Sequence, residues 1–439
     1  MRRRASVRKP LRRACRMTRP TTVRFVGGLF VTCVLLQRFA VPGIPVIALL
    51  LPVVLVWSAW GLYRGVLVVD RHRTLLWLAA AGVTALVVPV QLLLVNDPLV
   101  SVTSWALFMA TWAPFALRLV DRSTATYMAS LSVIVKTCIL LAFAAIAMMI
   151  SQLAGLRYSD WLAAVIPSSL LLHGYVITYP LSYGSGLYRA NAWIGLEPST
   201  VSFQLGLGLI AAMLAGARAR SVVVLFAALL CTASGSGVIV AAIGLLVMLV
   251  HPIRRSLRRY ALAGGTALVL ALSTPLGTAM LARATSSSPD PSASLRGIQP
   301  YQYLWPDWIS SAASVIFGRG PGSSQRLVDD TGILGLLVPT PAKIFVEYGL
   351  LAGFVLAGFL LVCFLDGPSR ALSASLLVSL WVLQPGTTSA IFVLPLLLVV
   401  SWWSPKQGPV LEAEPDVVPL LRRFGRQLPT PAAGNAWES

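Results

Sequence analysis

The sequence predicts an all-α, polytopic integral membrane protein of about twelve transmembrane helices, with two large external loops bearing interfacial helices. Three observations carry this expectation. The 439 residues are 57% hydrophobic and only 11% charged, and the mean hydropathy is +0.79, far from the composition of an average soluble domain. Windows of about 20 apolar residues, enough to cross a hydrocarbon core of about 30 Å, recur along most of the chain. Lys and Arg gather in alternate connections between these windows. The strict alternation over ten-residue segments that a membrane β-barrel needs is absent.

Taken in order, a basic tail occupies 1–22, a membrane domain 23–403 and a second tail 404–439. The apolar stretch after the first tail ends in Arg38-Phe39-Ala40-Val41-Pro42 and runs at once into another, which reads as a start-transfer anchor and not a cleaved signal peptide. Expected spans are 23–41, 44–62, 74–95, 98–119, 129–152, 199–216, 221–234, 236–250, 261–281, 342–365, 371–385 and 388–403. Two short spans flank the Ser234-Gly235-Ser236-Gly237 turn.

Basic residues are retained on the cytoplasmic side. With a cytoplasmic N-terminus, the inside segments hold 26 of the 35 Lys and Arg and the outside loops hold 6. Both termini are then cytoplasmic, and the net charge of +20 sits against anionic lipid headgroups, with no nucleic acid implied. The five cysteines lie in the tail or inside spans, so no external disulfide is expected. His72, His173 and His251 are scattered, which speaks against a histidine metal site.

The two long connections, 153–198 and 282–341, both fall outside, where the chemistry is expected. Each contains a stretch rich in Tyr and Trp, YSDWLAAVIPSSLLLHGYVITYP and YQYLWPDWISSAASVIF. Aromatic residues of this kind favour the headgroup region, so both stretches are expected to form interfacial helices, a lid over the bundle. The alternative is ordinary amphipathic packing without a ligand.

Three segments carry a resemblance. The first is Tyr188-Arg189-Ala190-Asn191 leading to Glu197-Pro198-Ser199 and a span. The second is LLCTASGSGVIVAAIGLLVMLV, a Ser-rich break between two short helices. The third is Leu295-Arg296, then Phe317-Gly318-Arg319-Gly320-Pro321-Gly322, then Glu347-Tyr348-Gly349 in a glycine-bearing helix. In order and in placement these are similar to the O-antigen polymerase and ligase superfamily of bacterial membrane glycosyltransferases, and the EPS stretch resembles the Wzy-type repeat-unit polymerases within it.

The resemblance implies a metal-independent glycosyltransferase of the bacterial cytoplasmic (inner) membrane without a cofactor. It would polymerise undecaprenyl-diphosphate-linked glycans on the external face, with membrane lipids around it and a flippase and a chain-length regulator as partners. Ligases of the superfamily carry a histidine shortly before the last glycine-bearing helix, where VPTPAKIFVEYGLLAG has none, so polymerase is favoured over ligase. A twelve-span secondary transporter is the rival of another class, opposed by the lack of an internal repeat and the scarcity of charges within spans.

A diphosphate leaving group needs its developing charge neutralised, which guanidinium does with paired donors. Arg189 and Arg296 are the catalytic candidates, and Arg319 a substrate-binding one; an interfacial arginine on lipid phosphate is the plain alternative for each. Gly318, Gly320 and Gly322 could turn amides toward a phosphate or merely permit positive φ. Activating an acceptor hydroxyl calls for a base. Glu197 could serve as that base, orient Arg189, or simply cap a helix whose first position is Pro198. His173 and Asn191 complete the substrate-binding candidates. Lys343 and Glu347, one helical turn apart, read as a structural pair. Lys136, inside the fifth span, could snorkel, neutralise a buried acid or hold phosphate.

Overall fold

A computed structural model of the chain describes residues 19–181, 186–250, 294–333, 336–365, 367–383 and 389–403, with a few isolated positions between 262 and 273. The expected span at 261–281 therefore lies almost wholly outside the described residues, as do most of both tails.

The described chain is mostly helical. Three helices are long and apolar enough to cross a membrane: α3 (Arg71–Leu94), α5 (Thr124–Leu153) and α14 (Thr340–Leu365). Shorter apolar helices are α1 (Arg19–Leu35), α2 (Leu50–Tyr63), α7 (Pro198–Leu214), α8 (Ala219–Thr232), α9 (Gly235–Val250), α15 (Arg370–Val378) and α16 (Ala390–Val399), and α4 (Val102–Trp112) lies between α3 and α5. Between them stand α6 (Trp161–Val165), α10 (Ser294–Gly297), α11 (Gln299–Trp308), α12 (Ala312–Phe317) and α13 (Ser323–Asp329).

Local chemistry fixes the helix starts. Asp70 takes the amides of His72 and Arg73 at the head of α3, Ser101 that of Ser104 at α4, and Ser123 that of Thr126 at α5, each satisfying amides that have no partner inside the helix.

The helices differ in depth. Every residue of α7 is buried, whereas α3 leaves Leu75, Leu78, Leu86 and Leu93 exposed. A helix apolar all round belongs at the centre of a bundle, and α7 is that centre. Small residues allow the close approach: a Cβ on Gly206 would stand 2.4 Å from the Gly237 carbonyl oxygen of α9, and one on Gly208 2.5 Å from Cβ of Cys138 on α5.

The contacts between connections sort them into two groups at opposite ends of the bundle. At one end, β3 (Leu67–Val69) pairs antiparallel with β4 (Leu117–Leu119), Arg118 meets Asp70 at 2.9 Å, and the buried Arg73 donates to the carbonyls of Leu117 and Ser401. At the other end, the hairpin β1 (Ala40–Val41) and β2 (Ile44–Ala48) meets 171–173 through main-chain bonds, Leu172 N–H to Arg38 O and His173 N–H to Pro45 O, both 2.9 Å. There too Leu99 N–H donates to Arg319 O and Ser101 N–H to Pro321 O.

Several expectations need correction. The ends of the first two expected spans are not helix but a hairpin, because Pro42-Gly43 and Pro45 cannot continue a helix and Gly43 sits at φ +81°. Among the described residues of the first large loop, the helices are only the five-residue α6 and a 3₁₀ turn at Ser168–Leu170, shorter than the expected interfacial helix; Pro167 interrupts the stretch. The second loop does form α11 and α12.

The helix α14 is broken at Gly349, whose φ of +64° and ψ of −170° lie outside the helical region. The carbonyls freed by the break find donors elsewhere, as burial demands. Arg319 N–H donates to Val346 O at 2.8 Å, Gly320 N–H to Glu347 O at 3.1 Å, and Gln91 Nε2 to Glu347 O at 2.8 Å.

Candidate functional site

The N-terminus of α7 opens into a cavity of about 730 Å³ at the end of the bundle that carries the large loops. Glu197, Ser199 and Thr200 form one wall, β2 and Leu51 another, and Ala390, Ile391 and Phe392 of α16 a third. Across it runs a strap, residues 172–179, that contributes His173, Tyr175 and Tyr179. Gln325 of α13 and Val338 close the side nearest the second loop. Volume and composition fall within the range of a small-molecule site, apolar surface with a few convergent polar groups.

Glu197 is the residue before the first helical position, and its extended backbone (φ −144°, ψ 160°) marks it as the N-cap. The Thr200 hydroxyl accepts from Glu197 N–H at 3.1 Å, and the Ser199 hydroxyl donates to Glu197 Oε2 at 2.7 Å. The carboxylate is thus oriented from below by the first helical turn, with the helix dipole stabilising its charge. Capping and a position in the cavity wall coexist.

The strap owes its position to backbone bonds. Its first end is tied to Arg38 and Pro45, as above. Its far end is held where Arg189 N–H donates to Tyr179 O at 2.9 Å, Thr178 Oγ1 to Arg189 O at 3.0 Å, and Asn191 Nδ2 to Ile177 O at 3.0 Å. Between these ends Tyr175 reaches the Ser389 hydroxyl and stands near the charge of Glu197.

Arg38 and Asp160 underpin the same loop. The Arg38 guanidinium, 2% exposed, donates through Nη1 and Nη2 to the two Asp160 oxygens at 2.8 and 2.5 Å, and through Nη1 to Trp193 O at 3.2 Å. Burial opposes ionisation of Asp160, but the bonds from Arg38 and the amides of Ala163 and Leu162 outweigh it and hold the carboxyl below its ordinary range.

The other candidates are distributed as follows. Arg189 lies beside the strap, its guanidinium 5.6 Å from the centre of the Tyr179 ring. His173 lines the cavity, with Nε2 at 3.0 Å from Ser168 O. Asn191 is fully buried, and its amide is spent on Ile177 O, the Tyr158 hydroxyl and Trp193 N–H, so it shapes the turn in which Ala192 and Trp193 take positive φ and does not face a ligand. The Arg296 side chain lies outside the described residues.

Arg319 is outside the cavity wall, 3.9 Å from Asp307. In the glycine turn the amides of Gly318, Arg319 and Gly320 donate to the carbonyls of Ser314, Val346 and Glu347. Its glycines serve shape: Gly318, Gly320 and Gly322 have φ of +80°, +110° and +84°, and a Cβ on Gly318 would stand 2.5 Å from Gly349 N. Lys343 and Glu347 do pair, and Ser324 Oγ donates to the same Glu347 oxygen.

Sequence reasoning missed Tyr175, Tyr179, Ser199, Thr200 and Gln325. The signal for two of them was present, since Ser199 and Thr200 directly follow Glu197-Pro198. Among the described residues no cluster of three or more His, Cys, Asp or Glu side chains comes together.

The fold and cavity define a helical protein built from apolar helices, three of them of membrane-spanning length, with a carboxylate-bearing pocket at one end. No protein-family model, curated protein or solved structure matches the chain.

Proposed function

We propose that the chain is a twelve-span glycosyltransferase of the bacterial cytoplasmic membrane, termini inside, that polymerises undecaprenyl-diphosphate-linked repeat units on the external face. The reading rests on the resemblance of the EPS, Ser-rich and glycine-turn segments. The observation that carries it is the placement of Glu197: the acid of the EPS stretch sits in the wall of an apolar cavity, oriented by Ser199 and roofed by a tyrosine-bearing strap.

In this mechanism the acceptor sugar hydroxyl gives its proton to Glu197 as its oxygen attacks the anomeric carbon of the donor glycan. The bond from that carbon to the phosphate oxygen breaks, and undecaprenyl diphosphate leaves with the electron pair. Arg189, whose guanidinium lies against the Tyr179 ring of the strap, is the cation assigned to neutralise it. The apolar walls accommodate lipid or the faces of sugar rings.

Deleting the protein and sizing the surface or secreted polysaccharide tests this. Accumulated single-repeat undecaprenyl intermediates are expected. Full-length but untransferred polymer would indicate a ligase, and unchanged glycan would overturn both and return attention to a carrier.

A further inference from the structure

Lys136 stands apart from the site just described. It is absent from the cavity wall, it is exposed, and among the described residues it makes no hydrogen bond or ion pair. The buried positions of α5, including Ile134, Cys138, Leu141 and Ala145, face the bundle. Its exposed positions Lys136, Leu140, Phe143, Ala147 and Ile150 follow each other at intervals of four, three, four and three. That is the seam spacing with which one helix packs along another, and Leu140, Phe143 and Ile150 are 71%, 54% and 59% exposed.

Depth makes the lysine informative. With a rise of 1.5 Å per residue the 30 residues of α5 span about 45 Å, and Lys136 lies about 18 Å from the first of them. Centred on a core of about 30 Å, the helix places Lys136 about 10 Å inside the boundary. A lysine stem of about 6 Å does not bridge that distance to water. A charge so placed calls for a partner.

We propose that this face of α5 docks a transmembrane helix of another protein, one that carries a carboxylate in its apolar segment at the depth of Lys136. The proposal rests on the membrane assignment and not on the glycosyltransferase reading. A second copy of the chain does not fit. A twofold contact through this face sets Lys136 against Lys136, and among the described residues the acid inside a long apolar helix, Glu347, already holds Lys343 and Ser324. Charge complementarity therefore selects an acidic partner helix.

The test places a photo-crosslinking amino acid at Leu140 or Phe143 in the full chain in its native membrane, with Leu86 of α3, 72% exposed, as control. Both α5 positions should give one shared protein adduct that Leu86 does not give, and mass spectrometry should identify in it an apolar segment containing Asp or Glu. Its yield should fall at least about tenfold in Lys136→Met, a change that makes the span more apolar and leaves its insertion uncompromised. The yield should return when Lys136→Glu is combined with replacement of the partner's acid by Lys. Adducts with lipid alone, adducts with a second copy of this chain, a partner segment without an acid, or a yield unaffected by Lys136→Met would each overturn the proposal.

Discussion

Asp160→Asn removes one negative charge and leaves the Arg38 guanidinium where it is. That cation is 2% exposed and is left with neutral acceptors alone, the amide oxygen of the new side chain and the Trp193 carbonyl at 3.2 Å; among the described residues its Nε has no partner. Stranding a fully buried charge costs about 3–5 kcal/mol. Asp160 is 23% exposed, so water recovers part of this and about 2–4 kcal/mol is expected.

The cost falls on the first loop before the whole bundle, because the pair joins the end of α1 to 160–193. The assay is amide hydrogen exchange at Ala164, Ile166 and Leu172, whose N–H groups donate to Asp160 O, Leu162 O and Arg38 O. A loss of about 2 kcal/mol in local opening raises their exchange about thirtyfold. The double variant Arg38→Met with Asp160→Asn should recover most of the protection, since an apolar side chain of similar length has no charge to strand.

Because the Asp160 carboxyl is held below its ordinary value, its contribution is present above the unfolded pKa of about 3.9 and lost as pH falls through the folded one. The gap between wild type and Asp160→Asn should be constant near neutrality and close in acid. Protection in Asp160→Asn within about twofold of wild type at neutral pH would refute the reasoning.

Glu197→Gln keeps an acceptor for Ser199 and the shape of the cap but cannot take a proton; polymer formation should fall about 10²–10⁴-fold with normal protein levels, whereas a residue that only caps would leave polymer length unchanged. Gly349→Ala puts a Cβ 2.3 Å from Ile316 O at a φ of +64°, and should cost about 2–5 kcal/mol, read as a lower midpoint of thermal unfolding in detergent. Lys343→Met leaves the 1% exposed Glu347 without its cation and should destabilise by about 3 kcal/mol or more in the same assay, with Glu347→Gln partly restoring it.

Apolar windows were readable because a helix in this setting must be apolar over its length, and α5, α7 and α9 stand close to where composition puts them. Glu197 was readable for a local reason too, as an acid followed by Pro198 marks a helix start. What could not be read were pairings between distant segments. Arg38 and Asp160 are 122 residues apart, and nothing local to either names the other. The break at Gly349 is likewise invisible in EYGLLAG, since the glycine is non-helical only because the turn at Gly318 occupies the space beside it. The same close approach engages the amides of Gly318, Arg319 and Gly320 with carbonyls of neighbouring segments.

The strap across the cavity is pinned at both ends mainly through backbone atoms. A structure secured in that way is indifferent to which side chains decorate it. Residues 172–176 could therefore exchange under selection for different ligands while the opening keeps its outline, so the strap is the place where recognition can be retuned at little cost to the framework beneath.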